Sequence, residues 1–313
     1  MCEFASIVLI KEQAFWALVD SHEEIIRKHG LHADGVGGPN VLRVEICPPS
    51  LDGVGLRAPL AEWTYRVDQD IMPEWADAER DEERARLALA ELVAERVIVD
   101  RTHIKKITEG VYYLIHNATV DAMGNATVDA RDNATVTAMG NATVDARDNA
   151  TVDARDNATV DAMGNATVTA MGNATVDAMG NATVDARDKA TVTAWDNATV
   201  TAWDNATVDA MGNATVTAMG NATVDAMGNA TVTAMGNATV DARDKATVDA
   251  MGNATVTAWD NATVTARGNA TVGAVNDHAT VRAYNPQPDV EILGPYAVLI
   301  DCTGERAVCR VGE

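Results

Sequence analysis

The sequence predicts a mainly β protein. Its body is an octapeptide-repeat β-solenoid of about 16 residues per coil and about ten coils, with a small α+β N-terminal capping domain and a C-terminal β-hairpin cap. Three observations predict this. Between Asn117 and about Asn285 one eight-residue unit, N-A-T-V-[D/T]-A-[M/R/W]-[G/D], recurs about twenty times. Inside each unit the small apolar residues fall at every second position, the period of a strand. Each unit closes on Gly, Asp or Asn, the residues that tolerate left-handed backbone angles and so make turns. The boundaries are expected at 1–108 for the head, 109–285 for the solenoid and 286–313 for the cap.

The head comes first in the chain. Phe4 to Ile10 reads as a buried strand and Ala14 to Leu18 as a second. Ser21 with Glu24 forms a capping box that opens a helix, and Gly30 ends it. Gly35 to Pro39 is glycine-rich but lies between a helix and a strand, the wrong order for a phosphate loop, and reads as a turn. Asn40 to Ile46 and Glu62 to Asp68 alternate as strands. From Ala76 to Val97 the apolar spacing is helical, with Leu87, Leu89, Leu92 and Val93 as the stripe. Arg101 to Ile115 reads as strands leading into the first coil.

In the repeats, Ala134, Val136 and Ala138 share one strand face and Thr135 and Thr137 the other. One such strand cannot bury its Ala-Val-Ala face alone, so neighbours stack into a thin continuous core. The fifth position sets the coil length. Even-numbered units carry mostly Asp there (Asp129, Asp145, Asp161, Asp177, Asp209, Asp225 and Asp241). Odd-numbered units are mostly Thr (Thr137, Thr169, Thr201, Thr217, Thr233 and Thr265). Two units per coil would separate an acidic ladder from a Thr-rich ladder and give a rod of about 50 Å. The seventh position (Met163, Met171, Met179, Trp195, Trp203, Met211, Met219, Trp259) is a rim outside the core, an adaptable apolar contact stripe for a partner or a second copy. Where the corner is Arg or Trp, Asp usually follows, and Arg-Asp corners are expected to lace neighbouring coils together. After the repeats, Ala297 to Ile300 and Ala307 to Val311 flank Thr303-Gly304-Glu305 as a hairpin covering the last coil.

The T-V-T-A-M-G-N-A phase resembles the octapeptides of bacterial ice-nucleation proteins, whose repeats are read as sixteen-residue coils with T-x-T on one face. That resemblance implies ice or ordered-water binding by the Thr face; the chain departs from it where Asp replaces the second Thr and where the corner is Met or Arg. The A-T-V-x-A array behind a mixed head also resembles bacterial and phage octapeptide proteins, which implies the architecture and no activity.

The formal net charge is −22, and residues 117–285 hold twenty Asp against nine Lys and Arg. Such a surface repels nucleic acid and membranes and suits a basic protein partner or self-association. No catalytic residue, metal site or cofactor is expected. Cys2 could act as a nucleophile after removal of Met1, as in the class II amidotransferases, which also begin Met-Cys, but Glu3 stands where those have Gly; the bland alternative is a buried thiol. His22 with Asp20 and Glu23 reads as a helix-cap region with solvated charges rather than an acid–base cluster, and His103 and His116 are isolated. Four cysteines (Cys2, Cys47, Cys302, Cys309) are too few for a disulfide scaffold, and no leader or membrane span is visible, so a cytoplasmic setting is expected. The functions these features favour are a non-enzymatic scaffold, in one version a nucleic-acid decoy for basic proteins, then ice binding, then a self-assembling rod.

Overall fold

The computed structural model describes residues 4–18, 21–35, 38–52, 54–100, 105–274, 278–284, 289–292, 296–302 and 308–311. Cys2, Asp20, Val36, Gly37, His103 and the Thr303–Glu305 turn, singled out above, lie outside them.

The head is an antiparallel four-stranded sheet with two helices against it. Its strands are β1 (Ser6–Leu9), β2 (Ala14–Phe15), β5 (Leu42–Cys47) and β6 (Thr64–Val67), in the order β2-β1-β5-β6. The expected second strand, Ala14 to Leu18, is thus only two residues long. The glycine-rich turn is a short ribbon of β3 (Asp34–Gly35) and β4 (Gly38–Pro39). Helix α1 (His22–His29) starts where Ser21 accepts a bond from the Glu24 N–H and stops where Gly30 turns left-handed at φ 61°. Helix α2 (Ala78–Arg96) buries Ala85, Ala88, Leu89 and Leu92 against β1 and β5. Leu87, expected in that stripe, is 66% exposed, because it lies too far around the helix from the line of Ala85, Leu89 and Leu92.

The rest of the chain is the solenoid. It uses β7 (Val97–Val99), β8 (Lys105–Ile107) and β9 (Val111–Ile115), then twenty-one four-residue strands from β10 (Thr119–Ala122) to β30 (Thr280–Ala283). The strands β31 (Asp289–Ile292), β32 (Val298–Asp301) and β33 (Val308–Val311) follow. Alternate strands fall into two parallel sheets, as the sixteen-residue period requires. The thirteen-stranded sheet runs from β7 to β31 and the fourteen-stranded one from β8 to β33. Both sheets begin before the first repeat, at Val97 and Lys105. At the far end β33 pairs antiparallel with β32, the expected hairpin cap.

Every inward column is uniform. Val stacks on Val and Ala on Ala in register from coil to coil, and from Ala118 to Val272 these side chains are between 0 and 1% exposed. At nearly every corner the seventh-position carbonyl accepts the N–H of the next unit's Ala, as in Ala134 to Arg131 at 3.0 Å. The corner N–H groups bond to the coil below, as in Asn141 to the Gly124 carbonyl at 2.8 Å.

Strand β9 joins the two parts. Tyr112 and Leu114 enter the solenoid core, whereas Tyr113 and Ile115 enter the head core. Alternation along one strand therefore welds the head to the outer face of the first coil. Arg96 is buried at that seam. It donates to the Val111 carbonyl at 2.9 Å and the Phe4 carbonyl at 2.5 Å, and its guanidinium lies 5.0 Å from the Phe4 ring centroid.

Candidate interaction surfaces of the rod

Each sheet presents three outward columns, from the third, fifth and seventh positions of the unit. On the thirteen-stranded sheet the fifth-position column is the acidic ladder, and the structure brings its members together as expected. Asp129 is in register with Asp145, Asp145 with Asp161 and Asp161 with Asp177. Thr193 interrupts, after which Asp209, Asp225 and Asp241 continue. Coil spacing sets the rungs about 4.8 Å apart.

The ladder is neutralised unevenly. Arg131 grips Asp129 with two bonds of 2.8 and 2.6 Å, and Arg243 bonds Asp241 at 2.8 Å while reaching Asp225 of the coil below at 4.0 Å. Arg147 lies 3.9 Å from Asp145. Among the described residues no cation pairs with Asp161, Asp177 or Asp209. Partial burial, together with the like charges of Asp129 and Asp161, raises the Asp145 carboxyl above its ordinary range. Burial and Asp177 raise Asp161 in the same way, and burial with Asp241 and Asp209 outweighs Arg243 to raise Asp225.

The Thr-rich ladder is assembled less completely. Thr201, Thr217 and Thr233 stack in three consecutive coils. Thr137 and Thr169 alternate with Asp121, Asp153 and Asp185, and Thr265 sits between Asp249 and Arg282. With Thr199, Thr215 and Thr231, the central three coils form an uncharged T-x-T block on the fourteen-stranded sheet.

The rim stripe is two stripes. Met163, Met179, Trp195 and Met211 stack along one corner, with Trp259 further on beyond Arg243, and Met171, Trp203 and Met219 belong to the opposite corner. Trp195 and Trp203 are 44 and 39% exposed, and the methionines are half-buried. Two units per coil place successive seventh positions on opposite edges, which no single stripe can satisfy.

The Arg-Asp corners are built differently from expectation. Each Arg turns back to the fifth-position Asp two residues earlier, as Arg155 does to Asp153 and Arg187 to Asp185. The corner Asp takes the left-handed conformation, φ 57° at Asp132 and 59° at Asp156. Its carboxylate then accepts the N–H of the corresponding residue one coil below, Gly140 to Asp156 at 3.1 Å and Gly228 to Asp244 at 3.0 Å. Corner Asp laces the coils through backbone, and corner Arg adds looser ion pairs to the coil below at two places, Arg243 to Asp225 at 4.0 Å and Arg267 to Asp249 at 3.7 Å. The first position adds ladders of exposed Asn amides, such as Asn229 to Asn213 at 3.2 Å. Lys189 and Lys245 break those ladders. The enrichment of Asp over every other non-glycine residue at the eighth position was the sequence signal for this lacing.

In the head, His22 is 6% exposed rather than solvated: Nε2 lies 2.9 Å from the Val44 carbonyl and Nδ1 3.5 Å from Asp68. It does not form a cluster with Glu23. His116 is not isolated but bridges Asp100 and Arg57. Cys47 is in a disulfide, and Cys302 is free. One disulfide was not expected of this chain. Among the described residues no helix is long and apolar enough to cross a membrane. No family model matches the chain, and no curated protein or solved structure is significantly similar to it.

Proposed function

We propose that the chain is a non-enzymatic scaffold whose rigid acidic rod binds a basic protein partner along the thirteen-stranded sheet, presenting carboxylates where that partner ordinarily meets nucleic-acid phosphates. The observation that carries this reading is the stacked pair Asp161 and Asp177, with Asp209 beyond Thr193, none of them paired with a cation among the described residues while Asp129 and Asp241 are paired with Arg. Adjacent carboxylates at coil spacing repel by about 1 kcal/mol even at water-like dielectric. A polycation laid along the ladder relieves that repulsion, and Met163, Met179 and Trp195 beside it offer apolar and cation–π contact to the stems and heads of Lys and Arg.

The test uses full-length protein, polylysine and a basic DNA-binding protein at low and high salt. Changing Asp161, Asp177, Asp209 and Asp225 to Asn together is expected to weaken binding at low salt by about tenfold or more and to flatten the salt dependence. Equal binding by the two proteins sinks the reading. The substitutions leave the T-x-T block on the other sheet intact, so any property of that block, such as ordered-water or ice binding, persists in the variant.

A further inference from the structure

The acidic ladder has a gap at its centre. Thr193 stands between Asp177 and Asp209 in the fifth-position column, and the same unit carries Trp195 at its corner. The gap changes its neighbours. Asp177 and Asp209 are exposed, whereas Asp129, Asp145, Asp161, Asp225 and Asp241 are half-buried. Trp195 is 44% exposed. Corner side chains reach this column. Arg243 bonds Asp241 of its own coil at 2.8 Å and comes within 4.0 Å of Asp225 in the coil below. For Trp195 those two positions hold Thr193 and Asp177, and Asp209 is the next rung above.

Among the described residues no cation of the chain occupies this place. The coil below Trp203 carries Arg187, and the coil below Trp259 carries Arg243, each bonded to the Asp of its own unit. The coils on either side of Trp195 carry Met179 and Met211 instead. Elsewhere the rod shows what such a place holds. The Arg267 guanidinium lies 5.6 Å from the ring centroid of Tyr284, the corner aromatic one coil above. It is also 3.7 Å from Asp249, the fifth-position carboxylate one coil below. A corner aromatic and a fifth-position Asp thus bracket a guanidinium within this chain. At Trp195 the aromatic and the carboxylates are present, and the arginine is not.

We propose that Trp195, Asp177 and Asp209 form a guanidinium subsite, where a basic partner lays one arginine on the exposed indole and hydrogen-bonds it to the carboxylates on either side. The subsite rests on the reading of the acidic sheet as a surface for a basic protein, and it names that protein's anchor. The chemistry selects arginine over lysine. Two coil spacings, about 10 Å, separate the two aspartates. A guanidinium is planar, carries its five donors in a fixed fork and stacks on an aromatic face while its edges keep their hydrogen bonds. It can therefore donate towards both carboxylates from one position over the ring. A lysine ammonium is a compact, strongly hydrated point charge that meets one carboxylate at a time.

The test is the binding of oligoarginine and oligolysine peptides of equal length to full-length protein at low salt. The two ligands carry equal charge, so the field of the ladder favours neither. The unsubstituted chain is expected to hold the arginine peptide about three- to tenfold tighter. Trp195→Met, which repeats Met179 and Met211 of the same column, is expected to abolish that preference and to leave lysine binding within about twofold. Trp203→Met, at the corner already served by Arg187, is expected to leave the preference as it was. Equal affinity for the two peptides in the unsubstituted chain, or a preference that survives Trp195→Met, overturns the subsite, while the acidic-sheet reading still stands on the lysine peptide. A loss in Trp203→Met as large as in Trp195→Met overturns it as well. If neither peptide binds, both readings fall.

Discussion

The head and the rod solve the same problem in opposite ways. The head surrounds each buried or clustered carboxylate with donors. Asp81, fully buried, takes bonds from Arg80, Arg84 and the Asp77 N–H. Its core is an interlock of unlike shapes, with Phe4 edge-on to Trp63 at 5.0 Å and tilted against Tyr113 at 5.1 Å. The rod stacks like on like: carboxylate over carboxylate outside, methyl over methyl inside. Unlike neighbours permit strong specific contacts that occur once. Like neighbours permit a small contact repeated without limit, at the cost of charge repulsion that repeats with it. The two regions should therefore break differently.

The largest difference is expected in the cores. Leu89→Ala in the head opens a cavity among large side chains and is expected to cost about 2–5 kcal/mol. Val176→Ala in the rod removes less and leaves a smaller gap, because its surroundings are Ala and Val; about 1–2 kcal/mol is expected. The order reverses for enlargement. Ala178 is in register with Ala162 and Ala194, all fully buried, so Ala178→Leu has no room and is expected to cost at least about 1–3 kcal/mol. Denaturant unfolding of the three variants checks this. Equal costs for Leu89→Ala and Val176→Ala would show that the rod core is as tightly interlocked as the head's.

The same contrast explains what the sequence made legible. In the rod one rule, applied about twenty times, sets strand, corner, face and coil length, and alternation of Asp and Thr at the fifth position was enough to assign the sheets. Regularity hid two things. A seventh position read along the sequence looks like one stripe, though coil closure divides it between edges. An Asp beside an Arg looks like an ion pair, though its left-handed backbone turns the carboxylate onto the coil below. In the head, capping and alternation placed the helices and strands. They gave no sign of buried Arg96 or of the Arg57 contact to His116, because these join residues far apart in sequence and occur once. The solenoid's early start at Val97 was hidden because β7 turns Val97 and Val99 outward into the head core, and β8 carries exposed Lys106 where a repeat has Asp or Thr.

A smaller effect sharpens the corner argument. Gly172 has φ 71°, and a Cβ there would lie 3.2 Å from the Asp156 backbone nitrogen. Gly172→Ala is expected to destabilise by about 1 kcal/mol, the left-handed penalty of a side chain with nothing to offer. Gly172→Asp meets the same contact, but its carboxylate can accept the Asp156 N–H, as Asp148 does for Asp132 at 3.4 Å. It is expected to recover most of the loss. Thermal unfolding of both variants decides the matter. If Asp is no better than Ala, the corner carboxylates are incidental to stability.

The smallest effect separates the two regions most directly. In the head, Asp81 is held low chiefly by Arg80 and the Asp77 N–H against its burial, Glu24 by Arg27, and Asp52 by its donors. A lowered folded value means stability present above the unfolded carboxylate range, near pH 4, and lost as pH falls through the folded value. In the rod, Asp145, Asp161 and Asp225 are raised, so the folded rod takes up protons more readily than the unfolded chain. Its ladder is destabilising at neutral pH and is relieved as pH falls through the raised values towards the unfolded ones. Acidification from about pH 7 to about pH 4 should thus strengthen the rod while the head, below that, weakens. The rungs are partly exposed, so each contributes a fraction of a kcal/mol, and salt should shrink the rod's gain further. Residue-resolved hydrogen exchange across that range reads both regions in one sample. Weakening of rod and head in parallel would mean that the stacked carboxylates carry no net repulsion, and with it would go the reason for a cationic partner to prefer the ladder.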